Sequence, residues 1–358
     1  MMKALFIGGT GTISAAVSER ALSLGWELWL LNRGGGSHGV PRSWADAGSG
    51  KELAAAPDTL HHIYCDISDE KAAKEKLAGL SFDVVADFIA YRPEQVERDY
   101  RLFHGRTAQY IFISSASAYQ KPLADYRVSE GTPLSNPCWD YSRQKILCED
   151  FLVKSYRESG FPVTIVRPSL TYDERSAPLG VHGRKGSWQV LKRIIDGKPV
   201  IIHGDGTSLW TITHAKDFAR AFTGIMGNIH ATGEAVQITG DETLTWNQIY
   251  EAVAAALGKP LKAVYAASKF LAAAGDYDFY GGLVGDKAVS VVFDNTKLKR
   301  LVPGYASEIR FDQGIRDTVA YILAHPECQT EDPEFDNWCD RVIKALEKAV
   351  AAIRDGAD

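Results

Sequence analysis

Tyr141 and Lys145 stand four residues apart in DYSRQK, at the head of the helix-patterned segment WDYSRQKILCEDFLVKSYRES. That spacing puts both side chains on one helix face. A phenol titrating near 10 is a poor proton acceptor at neutral pH. An adjacent ammonium favours the phenolate and brings it toward a usable range. Upstream, Ser115 lies in ISSASAY (113–119), which closes a strand pattern. Open α/β sheets present reacting groups at that edge, and the Ser115 hydroxyl could hydrogen-bond a substrate hydroxyl or carbonyl. Together the three side chains suit moving a proton on and off an oxygen. The plainer alternative for the Tyr–Lys spacing is a surface tyrosine beside a solvated lysine.

A second constellation opens the chain. In KALFIGGTGTIS, Gly8, Gly11 and Ser14 hold the three positions of GxxGxxG between an apolar strand and a helix. Gly8 can make the sharp turn, and Gly11 lets a pyrophosphate approach the backbone at a helix N-terminus. Ser14 is small enough for the close packing a third glycine would provide. With strands alternating downstream, this context supports dinucleotide binding. The next strand, ELWLL, ends in Asn32 and Arg33 with no acid to meet a ribose 2′-hydroxyl. The expected cofactor is therefore NAD(P), with NADP favoured because Arg33 can meet a 2′-phosphate; the alternative is a solvated loop arginine. The candidate cofactor contacts are Gly8, Gly11, Thr12, Ile13, Asn32, Arg33, Asp66, Ala90, Tyr141 and Lys145. Asp66, after the third strand, is placed to meet the adenine or is a plain surface aspartate.

These residues need a scaffold. Apolar runs at 4–7, 27–31, 61–65, 83–89, 109–114 and 163–167 read as strands, and helix-period segments such as TISAAVSERALSLG and DEKAAKEKLAGL separate them. The expected fold class is α/β, a Rossmann-type doubly wound parallel sheet with a smaller C-terminal mixed α/β substrate domain. The expected domains are a dinucleotide-binding domain over 1–168, with a contribution from about 205–240, a lid mainly over 169–330, and a C-terminal helix over 331–358. Within the lid, 173–187 reads as a loop.

The 358 residues carry a net charge of -5, which gives no electrostatic case for nucleic acid or an anionic membrane as the main partner. No run approaches the roughly 18 apolar residues of a membrane span. Cys65, Cys138, Cys148, Cys328 and Cys339 are sparse, odd in number and without a CxxC pair, as expected for reduced thiols in a cytoplasm. Histidines 61, 62, 182, 203 and 214 lack partners at metal-ligand spacing, so no metal site is expected. His214 and Asp217 read as structural.

Taken together, Gly8, Gly11, Ser14, Ser115, Tyr141 and Lys145 resemble the extended short-chain dehydrogenase/reductase family, the NAD(P)-dependent epimerase/dehydratase group. VRPSLTY (166–172), GKPVIIHGDGTSLWTITHAKDFARAF and FDNTKLKRLVP extend the likeness over most of the chain. The resemblance implies Tyr141 as acid/base, Lys145 holding the nicotinamide ribose and tuning the tyrosine, and Ser115 orienting the reacting oxygen. A hydride would pass between a substrate carbon and the nicotinamide.

Departures narrow what the resemblance implies. Family dehydratases carry Asp-Glu after the position of Ser115, where this chain has Ala116 and Ser117, so 4,6-elimination is disfavoured. Nucleotide-sugar members place an arginine at Trp210, tend to carry Asn near Leu170 and Thr171, and have Gly at Asp173. Arg175, Arg184 and Lys185 are alternative cations, or belong to a mobile charged surface lid. Trp188 and Trp210 could stack on a ring or pack internally. The expected activity is an NAD(P)-dependent epimerase or oxidoreductase acting on a hydroxylated, sugar-like or nucleotide-sugar small molecule. The alternatives are an RNA-binding relative, as in some plant-plastid proteins with a similar opening, and a non-catalytic NADP-sensing regulator. A homodimer is common in the family.

Overall fold

The computed structural model describes residues 1–33, 58–275 and 277–356. The last two positions of the expected C-terminal helix, 357–358, lie outside them. The described residues fall into two compact units, Met1–Thr171 with Thr213–Asp241 and Phe293–Glu308, and Tyr172–Ile212 with Glu242–Val292 and Ile309–Asp358.

In the first unit the apolar runs become β1 (Lys3–Ile7), β2 (Glu27–Asn32), β3 (Leu60–Tyr64), β4 (Phe82–Asp87), β5 (Thr107–Ile113) and β6 (Val163–Pro168). A seventh strand, β7 (Ala235–Ile238), extends the sheet beside β6. The order is β7-β6-β5-β4-β1-β2-β3, and every pairing is parallel. Helices α1 (Thr12–Ser23), α2 (Glu70–Lys76), α3 (Pro93–Phe103), α4 (Asp140–Ser159) and α5 (Ala215–Ile225) flank it.

Successive strand residues point to opposite faces, and β1 shows the result. Ala4 and Phe6 join a core with Val17, Ala21, Phe218 and Phe222 from α1 and α5, while Leu5 and Ile7 join one with Val96, Leu102, Cys148 and Leu152 from α3 and α4. Burial on both faces explains why the strands read as continuous apolar runs rather than alternating ones. The sheet order reverses between β1 and β4, and the carboxyl ends at such a reversal form the crevice where α/β sheets bind ligands.

In the second unit Val200–His203 pairs parallel with Ala263–Ala266, and Leu209–Thr211 pairs antiparallel with Thr243–Thr245. Residues 173–187 form turns and isolated bridges rather than a regular element. Trp246 and Tyr250, from helix Trp246–Ala256, lie fully buried; Trp246 packs beside Trp210 and His203, and the Tyr250 hydroxyl accepts from Val181 N at 3.1 Å. Helix Pro333–Asp355 is fixed by Arg193, which is wholly enclosed and pairs with Asp336 at 2.6 Å and Asp340 at 2.8 Å.

Candidate active site

The turn after β1 runs through Gly8 at φ +81°, a left-handed conformation that favours glycine. Ser14 ties the turn to the helix. Its Oγ accepts from Gly11 N at 2.8 Å and donates to the Gly8 carbonyl at 2.9 Å. Thr12 and Ile13 supply first-turn amides that have no acceptor inside the helix. That turn holds no acidic residue, so the positive end of the helix dipole faces no side-chain anion of its own turn.

At the ends of β2 and β3, Cys65 N bonds the Asn32 carbonyl at 2.8 Å, which extends the pairing by a residue. Asn32 Nδ2 is enclosed and makes no hydrogen bond among the described residues. Arg33 is exposed. Hydrogen bonds from Ser68 N and Oγ, at 2.9 and 2.7 Å, hold the Asp66 carboxyl below its ordinary range, and the charge of Arg33 acts in the same direction. An acid-free helix start after β1 and an orphaned amide donor at the end of β2 fit a group carrying phosphates and hydroxyls.

At the ends of β4 and β5 stand the proton-handling residues. Tyr141 and Lys145 share a face of α4, and Lys145 Nζ lies 5.7 Å from the centre of the Tyr141 ring. The amine is buried and donates to the Ala90 carbonyl at 2.7 Å and the Ile113 carbonyl at 2.6 Å. Burial lowers its pKa to about 8 against the opposing pull of Cys148, Asp87 and Glu149, so at neutral pH it is still mostly an ammonium. Tyr141 is 37 % exposed, and Trp139 packs against its ring.

Ser115 begins a short turn over Ala116–Ala118 and accepts from Ser117 N at 3.1 Å. Ser142, wholly buried on α4, donates to Ser117 Oγ at 2.7 Å, and Ser117 Oγ lies 2.9 Å from Ser115 Oγ. Ser117 is itself buried, so its hydroxyl hydrogen needs an acceptor, and among the described residues Ser115 Oγ is the one in reach. Ser115 therefore accepts twice from Ser117 and keeps its own hydrogen to offer outward.

The structure thus gathers Ala90, Ser115, Tyr141 and Lys145 at the carboxyl ends of β4 and β5, and Gly8, Gly11, Thr12 and Ile13 after β1; Asn32, Arg33 and Asp66 lie at the ends of β2 and β3. In the second unit, Trp210 is buried against Trp246. Arg175 pairs with Asp173, Arg184 lies over the Tyr277 ring and Lys185 bonds the Glu331 carbonyl at 3.1 Å. His214 Nδ1 accepts from Lys216 N and starts α5. No group of three or more metal-ligating side chains occurs among the described residues, and no described helix is long and apolar enough to cross a membrane. Sequence reasoning missed Asp87 and its partners; its one signal was an acid closing the apolar run Val84–Ala86 of β4.

The sequence pattern of the NAD dependent epimerase/dehydratase family matches residues 4–239. The chain belongs to that family. Among relatives, it is 27% identical over 260 residues to the chloroplast stem-loop binding protein of 41 kDa b of Arabidopsis thaliana, covering 72% of this chain and 64% of that protein. It is 25% identical over 316 residues to the 2′-dehydrokanamycin reductase of Streptomyces kanamyceticus, covering 85% and 80% of the two chains. The fold is similar to that of UDP-glucuronic acid 4-epimerase from Bacillus cereus in complex with NAD, with TM-score 0.68, 17% identity, and 92% and 100% of the chains covered. The family's Rossmann-type sheet is thus the frame on which the residues above are mounted.

Proposed function

We propose that this chain is an NAD(P)-dependent oxidoreductase or epimerase of a hydroxylated, sugar-like small molecule, with Tyr141 as acid/base, Lys145 and Ser115 as its partners, and NADP preferred. The observation that carries the reading is the Lys145 amine, buried at the ends of β4 and β5 and set against the face of the Tyr141 ring. A bound nicotinamide would supply or take the hydride. The first turn of α1, with Thr12 and Ile13, would hold its phosphates, and Asn32 and Arg33 the adenosine end. Ser115 donates to the reacting oxygen of the substrate. An alcohol bound there has its oxygen lone pair engaged and its one proton left for Tyr141; a carbonyl is polarised by the same hydrogen while Tyr141 delivers the proton. Lys145 favours the phenolate between these steps.

The reductase of 2′-dehydrokanamycin, matched over most of the chain, favours a sugar-like carbonyl compound, and relatives named as UDP-arabinose 4-epimerases favour a nucleotide sugar. Ala116 and Ser117 supply no acid for elimination, and pairing through α3 and α4 would give the family's dimer.

The test is NADPH- and NADP-coupled turnover on a panel of keto-sugars and UDP-sugars. Tyr141→Phe is expected to abolish turnover and leave NADPH affinity within about twofold. Turnover equal to the native chain would sink the Tyr141 assignment, whereas NADPH binding by the native chain with no turnover across the panel would favour the cofactor-sensing reading. Arg33→Ala is expected to weaken NADPH more than NADH; equal weakening removes the basis for the NADP preference. RNA binding is a second reading, favoured by the match to the stem-loop binding protein. A salt-sensitive shift of stem-loop RNA, with no affinity for either dinucleotide, would place it first.

A further inference from the structure

Asp87 closes β4 with its side chain wholly enclosed. Its Oδ1 accepts from Ile89 N at 2.6 Å and Ala90 N at 2.9 Å. These amides belong to the loop whose Ala90 carbonyl holds Lys145. Its Oδ2 lies 3.6 Å from Arg98 NH2 and makes no hydrogen bond among the described residues. Arg98 is committed elsewhere: Nε and NH2 both donate to Asp99 Oδ1, at 2.9 and 2.7 Å, and Asp99 Oδ2 accepts from the Tyr110 hydroxyl at 2.7 Å. None of the four side chains' residues exceeds 6% exposure.

Two carboxylates on one guanidinium, sealed from water, would leave one negative charge without compensation, and that is costly unless a proton supplies it. The other ionisable groups facing this cluster are Lys145 and Cys148 of α4, with Glu149 and Glu94 beyond them, and, on the side of α3, the exposed Arg101–Glu70 pair and Asp66; Arg101 is spent on Glu70 at the surface. Lys145 already answers to two carbonyls.

We propose that Asp87 and Asp99 hold a single proton between them, carried by Asp99, and that Asp87, through the amides of Ile89 and Ala90, is the positioning residue for Lys145. A proton on Asp99 supplies a donor toward Asp87, whose Oδ2 has none among the described residues, and leaves Asp87 Oδ1 to the two loop amides. Burial, and then its neighbour Asp87, push Asp99 well above the usual carboxyl range, which agrees. What Lys145 does in turnover rests on the function proposed above; the shared proton does not.

Infrared difference spectroscopy of the full chain at neutral pH is expected to show a protonated-carboxyl carbonyl stretch that disappears in Asp99→Asn. Absence of that band in the native chain, or its survival in Asp99→Asn, overturns the shared proton. The positioning role is read separately, from the Lys145 amine in 15N-lysine-labelled protein, assigned with Lys145→Met. Asp87→Asn is expected to move its titration midpoint below the native value of about 8 and to weaken NADPH by about tenfold. Asp99→Asn keeps the shape and neutrality of the acid and is expected to spare both readouts, whereas Asp99→Ala is not. An unmoved amine in Asp87→Asn, or equal damage from Asp99→Asn, defeats the role. If the native chain binds neither NADPH nor NADH while the band and the amine behave as expected, the functional reading fails and the carboxyl pair stands.

Discussion

Lys145 carries a cost that its position explains. Its amine is a base whose folded pKa, about 8, lies below the ordinary 10.5, so between those values the unfolded chain binds a proton that the folded chain has released. Stability therefore rises with pH across that window, by up to about 3 kcal/mol. Urea denaturation of the ligand-free chain from pH 7 to 10.5 is expected to show that slope, and Lys145→Met to lack it; equal slopes would show that the amine is not desolvated. Ser142 offers a subtler test. Its hydroxyl pins Ser117 Oγ to α4, and removing it loosens the turn that aims Ser115 outward. Ser142→Ala is expected to lower turnover about three- to tenfold with KM nearly unchanged, and unaltered turnover would dismiss the hydroxyl chain. The Tyr141 and Lys145 pair could be read from spacing alone. The polarity of Ser115 could not, because it depends on a buried serine of α4 meeting the turn after β5.

At the scale of elements, the six strands from β1 to β6 were legible because each keeps a short, mostly apolar run, nearly continuous where both faces are buried, as in β1. The seventh, β7, was not: AVQI is four residues long with buried Gln237 in it, and its place is set by pairing with β6, far away in sequence. The same limit hid the Asp87 cluster, whose members come from β4, α3 and β5. Another buried junction joins α4 to β6. Glu149 receives Arg167 at 3.0 and 2.6 Å and accepts from the Ser114 hydroxyl, so it braces the strand end next to Ser115. Glu149→Leu strands a buried guanidinium and is expected to cost about 3 kcal/mol or more, while Glu149→Leu with Arg167→Met should recover much of it. A double variant as unstable as the single one would show that the bond to Ser114, rather than the ion pair, matters.

For the whole molecule, the tail helix and the acid response belong to the second unit. Arg193, which reads in sequence as one more helix cation, is enclosed and carries Asp336 and Asp340 of the tail. His203 is buried beside Trp246, and burial lowers its pKa to about 4 from an ordinary 6.5. Its folded form resists a proton that the unfolded form accepts, so stability is lost as pH falls through that interval, by up to about 3 kcal/mol. His203→Gln is expected to flatten the decline in thermal midpoint between pH 6.5 and 4, and an unchanged decline would move its cause to the carboxylates.

The Lys145 ammonium has three hydrogens, and the carbonyls of Ala90 and Ile113 take two. Among the described residues one is left over, which on the proposed function is enough for a single ribose hydroxyl. A neutral amine has only two, both already engaged, so above about pH 8 an arriving dinucleotide must either forgo that contact or unfasten a strand end to obtain it. Cofactor dissociation constants that climb through the same interval in the native chain, and stay level in Lys145→Met, would be the arithmetic of those hydrogens made visible.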